Sequence, residues 1–157
     1  MNRTTARLPE GMPELCLVRL GIQVRKLSAF PYVLRLGRTI ERSAKAAKTS
    51  NAGLLRSEMI RFAWNHFGVI QYWRSFQELE AWSHRPPHAD WWREAADRLR
   101  TKGDFGIYHE TFLVPADSIE SIYMNTVPTG LLAFGIAGEP SGPDANSRGR
   151  LRRNRKT

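Results

Sequence analysis

The sequence predicts an α+β fold in the order β-α-β-β-α-β, with one extra strand on the C-terminal side. Three observations carry this expectation. Apolar residues alternate at a period of two over 15–24. They recur at three- and four-residue steps over 33–47. The two patterns then change places once more down the chain, punctuated by glycine and proline.

The first strand is expected at 15–24, where Cys16, Val18, Leu20, Ile22 and Val24 form one apolar face and Arg19 and Gln23 lie on the other. Ser28 opens a helix whose first turn tolerates Pro31. Val33, Leu36, Ile40, Ala44 and Ala47 make its buried stripe, with Arg35, Arg38, Arg42, Lys45 and Lys48 outside, and Asn51 and Gly53 stop it. Strands two and three are expected at 57–64 and 68–74, joined through Asn65-His66-Phe67-Gly68. Ser75 and Glu78 fit a capping box for a short helix that Pro86-Pro87 interrupts. A further helix starts near His88 to Asp90, with Trp92, Ala95, Ala96 and Leu99 inward and Gly103 at its end. Strand four is expected at 106–114, stopped by Pro115, and the extra strand at 121–125. The order is that of the split βαβ, or ferredoxin-like, fold.

Residues 1–14 read as an N-terminal arm, 15–137 as the folded domain and 138–157 as a disordered basic tail, because EPSGPDANS followed by RGRLRRNRKT has little apolar surface to bury. The formal net charge is +9, with ten Lys/Arg against three acids in 1–50 and six against two in 137–157. The tail is a solvating extension or a weak binder of polyanions. No apolar run reaches the roughly 18 residues of a membrane span, and the first residues do not read as a secretory signal. The single cysteine, Cys16, excludes an internal disulfide and a Cys-based zinc site, and a reduced cytoplasmic setting is expected.

No GxSxG, HExxH, Walker A or dinucleotide-binding glycine pattern is present, so hydrolase and nucleotide-dependent mechanisms have little support. The chemistry available is that of a pocket. His109, mid-strand in IYHET, can be a general base, a hydrogen-bond donor, an axial iron ligand or simply a satisfied structural histidine. Gln71-Tyr72-Trp73-Arg74 puts Tyr72 and Arg74 on one strand face and Gln71 and Trp73 on the other. The aromatic surfaces can hold a planar substrate, and the guanidinium can steady an oxyanion, unless Trp73 is core and Arg74 pairs with an acid. His88 faces the same cavity or merely begins its helix. His66 and His84 are expected in water, and Asn125 either reaches a ligand or satisfies backbone groups.

QYWRSF at 71–76, the helix entry at His88, GDFGIYHETFLVP at 103–115 and IYMN at 122–125 before Pro128 resemble the monooxygenase-like family related to the fumagillin-pathway monooxygenase. The resemblance covers about 10–135. It implies a dimeric α+β barrel, in which two ferredoxin-like sheets pair and a pocket lies between each sheet and its helices. Related architectures include cofactor-independent oxygenases, haem-degrading oxygenases and haem-containing dehydratases. The Asn–Trp–His set of the haem degraders has candidates in Asn125, Trp73 and His109.

These readings converge on a homodimeric oxidoreductase, monooxygenase-like and cofactor-independent, acting on an aromatic, polyketide or terpenoid-type small molecule of secondary metabolism. In it His109 is the base, Arg74 and Asn125 stabilise the anion, and Tyr72, Trp73, His88 and Trp92 bind substrate. One alternative makes it a haem enzyme with His109 as axial ligand. Another, from the shared strand order, is an RNA-binding module. Against it, HFGVIQY at 66–72 and Cys16 on strand one lack most of the required stacking aromatics.

Overall fold

The computed structural model describes residues 2–154. Its strands are β1 (Arg3–Arg7), β2 (Glu14–Val24), β3 (Leu54–Ala63), β4 (His66–Trp73), β5 (Phe105–Pro115), β6 (Tyr123–Met124) and β7 (Ile136–Gly138). Its helices are α1 (Phe30–Thr49), α2 (Phe76–Ser83), α3 (His88–Lys102) and α4 (Ser147–Asn154). The main sheet is antiparallel in the order β3-β4-β2-β5, the ferredoxin-like arrangement that the order of elements predicted.

Period-two alternation on β2 buries Cys16, Val18, Leu20, Ile22 and Val24 beneath the helices, and the predicted stripe of α1 packs onto them. The β3–β4 turn is tighter than expected, since Ala63 already pairs with His66 across Trp64-Asn65. Ser75 Oγ accepts from the Glu78 amide at 3.2 Å and caps α2 as predicted. Its hydroxyl also donates to the Glu78 carboxylate. Gly103 ends α3 in the left-handed region at φ 53°, where a glycine pays no side-chain penalty.

The inner face of α3 is a correction. Trp91 and Ala95 are buried, with Leu99 partly so, while Trp92 and Ala96 are exposed. The i, i+4 stripe 91–95–99 meets the sheet, one position earlier than the sequence suggested.

Both ends of the chain also differ from expectation. The expected arm contains β1, and the expected extra strand shrinks to β6. Neither extends the main sheet; with β7 they form a separate three-stranded sheet, β6-β1-β7. This small sheet and the turn at Gly130–Ala133 cover one end of the sheet's other face through Ala6, Leu8, Leu15 and Leu131. The segment expected to be a disordered tail is ordered as far as 154, and 155–157 lie outside the described residues. Arg150 is buried and ion-paired to Glu120, and Arg153 donates to Asp144 at 2.9 Å. Charge pairing holds α4 where apolar burial would not.

The rest of that face is uncovered. Arg19 pairs with Glu110 at 2.7 Å and lies against the rings of Phe62 and Tyr108. Gly21 makes room for Tyr108, since a Cβ there would come 2.1 Å from the ring.

Candidate functional site

Strand alternation puts His109 on the helix side of β5, directly opposite Leu20 of β2. β5 is an edge strand, so the imidazole is exposed on one side and set against α3 on the other. His88 begins α3 immediately after Pro87. Both line one small cavity between sheet and helices, together with Ser43 of α1, Gln71 of β4, Trp82 of α2 and Trp91 of α3. The cavity volume is about 20 Å³, room for one water or one oxygen atom of a ligand.

The hydrogen bonds around it give each group a fixed sense. His88 Nδ1 lies 3.1 Å from the Ser83 carbonyl. A carbonyl only accepts, so Nδ1 carries the proton and Nε2 keeps its lone pair. Burial holds His88 below its ordinary pKa, and the neighbouring His109 adds to this, against the pull of the Ser83 carbonyl. Burial alone lowers His109. Both shifts favour the neutral ring at pH 7.

Gln71 is oriented by Trp73, whose indole N–H donates to Oε1 at 3.1 Å. That turns the carbonyl end of the amide toward Trp73 and leaves the NH₂ end as a donor. The indole N–H of Trp91 is buried with no hydrogen-bond partner among the described residues. A buried donor without a partner costs about 1–3 kcal/mol, and this one is too buried to open onto the cavity, which Trp91 walls with its ring. The rings run edge-on from His88 to Trp91, Trp92 and His109, with centroids 4.8, 5.6 and 6.3 Å apart.

Of the residues expected at the site, His109 and His88 are brought together, Trp92 stands against His109, and Trp73 acts one step behind through Gln71. The others lie elsewhere. Tyr72 is on the opposite sheet face against Phe134, with its hydroxyl pKa raised by burial and by Glu58. Arg74 donates to Asn51 Oδ1 at 2.9 Å and pairs with Glu78 at 3.5 Å. Asn125 sits at the small sheet with φ 52°, accepting from the Asn2 amide at 2.8 Å. The expected Asn125, Trp73 and His109 set does not converge, because β6 belongs to the second sheet. Sequence reasoning missed Gln71, Ser43 and Trp91; alternation had already put Gln71 on the face of Trp73, and that was the available signal.

Cys16 lies fully buried nearby on β2, and burial pushes its thiol up to about 11, so it is no nucleophile. Among the described residues no cluster of His, Cys, Asp and Glu could hold a metal ion. The enclosed cavity by itself has no room for a haem. Ligands of that size need cavities of several hundred Å³, and the space beside the two imidazoles is about 20 Å³, walled by Trp82 and Trp91.

Two aldoxime dehydratase structures share the fold. An aldoxime dehydratase, OxdRE in complex with butyraldoxime, matches with a TM-score of 0.67 and 20% identity over 87% of this chain and 38% of that one. A second aldoxime dehydratase structure matches at 0.66, again with 20% identity, over 88% and 39%. The chain thus spans 38–39% of the length of these dehydratases, and at this identity the likeness is one of fold. SnoaB, a cofactor-independent oxygenase from Streptomyces nogalater, matches at 0.42 with 18% identity over 64% of this chain and 91% of that one. No curated protein matches the sequence. The family model described as Monooxygenase af470-like matches residues 15–131, from the start of β2 to the turn that covers the sheet's other face. The chain belongs to the Monooxygenase af470-like family.

Proposed function

We propose that this protein is a small monooxygenase-like oxidoreductase whose substrate is a carbon acid, an aromatic, polyketide or terpenoid-type molecule with an acidic C–H beside a carbonyl or phenol oxygen. One observation carries the reading: His88, with its Nδ1 proton committed to Ser83, shares an oxygen-sized cavity with Gln71, whose amide NH₂ is left as a donor. A base opposed by a donor is the arrangement that enolisation needs.

In this reading the substrate oxygen enters the cavity and its body stays outside, toward Trp92 and the uncovered side of His109. His88 Nε2 takes the proton. The negative charge delocalises onto the oxygen, where the Gln71 amide donates to it. The electron pair of the carbanion then forms a C–O bond to dioxygen, and the resulting peroxide takes up a proton. Loss of water leaves a new carbonyl, so a CH₂ group and O₂ become C=O and H₂O with no external reductant. This shifts the base from His109, the residue the sequence favoured, to His88, whose tautomer is fixed. His109 completes the acceptor side of the cavity.

A homodimer in a cytoplasmic, reducing setting and a place in secondary metabolism belong to the same proposal. No helix among the described residues is long and apolar enough to cross a membrane.

Oxygen consumption by the purified protein tests the function. A panel of phenols, anthrones and 1,3-diketones is offered under ¹⁸O₂, and incorporation of one labelled atom into product is expected. Absence of consumption across all three classes defeats the reading. A Soret band in protein expressed with haem supply would restore the haem alternative.

A further inference from the structure

A second opening lies on the helix side of the sheet, between α1 and the β3–β4 hairpin, with a volume of about 190 Å³. Leu20, Phe67 and Val69 come from the strands, Leu34 and Gly37 from α1, and Met59 from the edge strand β3. Only Arg38 and Glu41 among its lining residues are charged, and both are exposed.

Two observations mark the cleft as more than a gap in packing. Gly37 sits in the interior of α1, where alanine would be favoured by about 1 kcal/mol. Packing does not demand the glycine, since the nearest atom to a Cβ built there is Met59 Cε at 3.9 Å. What its missing side chain does is keep the cleft open. Beside it, Leu34 and Met59 are 55% and 52% exposed, so large apolar side chains face water around a concave surface.

We infer that this cleft binds a neutral, apolar molecule about one ring in size. An apolar cavity of about 150 Å³ holds benzene, so the space suits a ring with a short alkyl substituent. A charged ligand would lose hydration against leucine, valine and phenylalanine with no partner at depth. Leu20 and Ile40 line both this cleft and the cavity of His88 and His109, so an occupant lies one layer of side chains from the two imidazoles. The cleft is on the helix side, away from the open sheet face. The inference concerns binding alone and stands or falls apart from the chemistry proposed for the histidines.

Toluene titrated into the full chain, followed by backbone amide shifts, is the test. Saturable shifts are expected at Val33, Gly37 and Val69. Gly37→Leu should weaken toluene binding at least tenfold while leaving the melting temperature unchanged or raised by about 2–4 °C. Met59→Lys, at an exposed position, should also weaken binding and decides the matter if the leucine variant does not fold. His88→Gln should bind toluene as the wild type does. The inference is overturned by non-saturable shifts, by wild-type affinity in both cleft variants, or by a change of oligomeric state in Gly37→Leu that marks the cleft as a contact between copies.

Discussion

His88 and His109 are distinguished by what their second nitrogen does. His88 donates a hydrogen bond from Nδ1 to the Ser83 carbonyl, whereas His109 has no hydrogen-bond partner among the described residues. Replacing His88 with Gln should lower turnover by about 10²–10⁴, the usual contribution of a general base. His109→Gln should cost less, and His66→Gln, on the opposite sheet face beside Tyr108, nothing measurable. Oxygen-consumption rates of the three variants check the order; equal losses at His88 and His66 would refute it. The rate should also rise with pH to a plateau whose midpoint lies below the ordinary histidine value of 6.5. The same shifts bear on stability. Both folded-state pKa values are depressed, so below about pH 6.5 the unfolded chain binds protons that the folded chain does not. Stability is complete above that pH and falls as the pH drops through the window beneath it. Thermal melts at pH 7 and 5.5 should differ in the wild type, and less so in a His88→Gln, His109→Gln double variant. Asp104, held low by Arg98, and Glu58, held low by the Gly130 amide, Thr129 and Arg56 against its burial, lose their stabilisation only at more acid pH.

At the scale of elements, α4 and β2 carry opposite lessons. Arg150 is the reason α4 is seated: it reaches Glu120 and the carbonyls of Asp144 and Ala145. Arg150→Ala should cost about 1–3 kcal/mol, the range for leaving charged and carbonyl partners unmet. Deleting 139–157 should cause a similar loss while the main sheet stays folded, read as one lowered but cooperative thermal transition. Loss of all cooperative folding would mean that α4 is integral to the core. Among the described residues, the proposal of polyanion binding by this segment rests on Arg148 and Arg152, which are exposed, because Arg150 and Arg153 are engaged within the chain. On β2, Gly21→Ala would drive a Cβ into Tyr108 and displace the ring that packs against Arg19. Overpacking of this kind costs about 1–3 kcal/mol, and a thermal melt of the variant checks it.

At the scale of the molecule, the sheet has one covered face and one that the small sheet only half covers. Arg19, Phe62, Tyr108, Glu110 and Phe112 remain there, with Phe112 46% exposed. A flat surface of rings around a charge pair, next to the edge strand β5, is suited to a second copy related by a two-fold axis. We expect a homodimer by light scattering at micromolar concentration, and Phe112→Glu should shift it toward monomer without lowering secondary-structure content. A monomeric wild type would remove the barrel from the proposal.

The main sheet was legible in the sequence because period-two and 3.6-residue patterns report burial directly. Cys16 to Val24 and Val33 to Ala47 were both read with the correct face inward. The caps at Ser75 and Gly103 were legible for the same reason: they act within three or four residues. His109 and His88 could be singled out, but their meeting could not, since it depends on β5 lying beside β2 and on the angle at which α3 crosses. Asn125 stands away from the imidazoles because β6 joins the second sheet, which a residue's chemistry does not reveal, and Arg74 is engaged by Asn51 and Glu78, the acid pairing that was one of its two readings. The ends of the chain carry little apolar patterning: β1 is held by backbone pairing together with the burial of Ala6, and α4 by ion pairs over long separations. What the sequence by itself determined was local: which segments are strands and helices, and which side of each avoids water. Tertiary structure alone decided which polar groups face one another across the cavity, because those distances are set by packing between elements far apart in the chain.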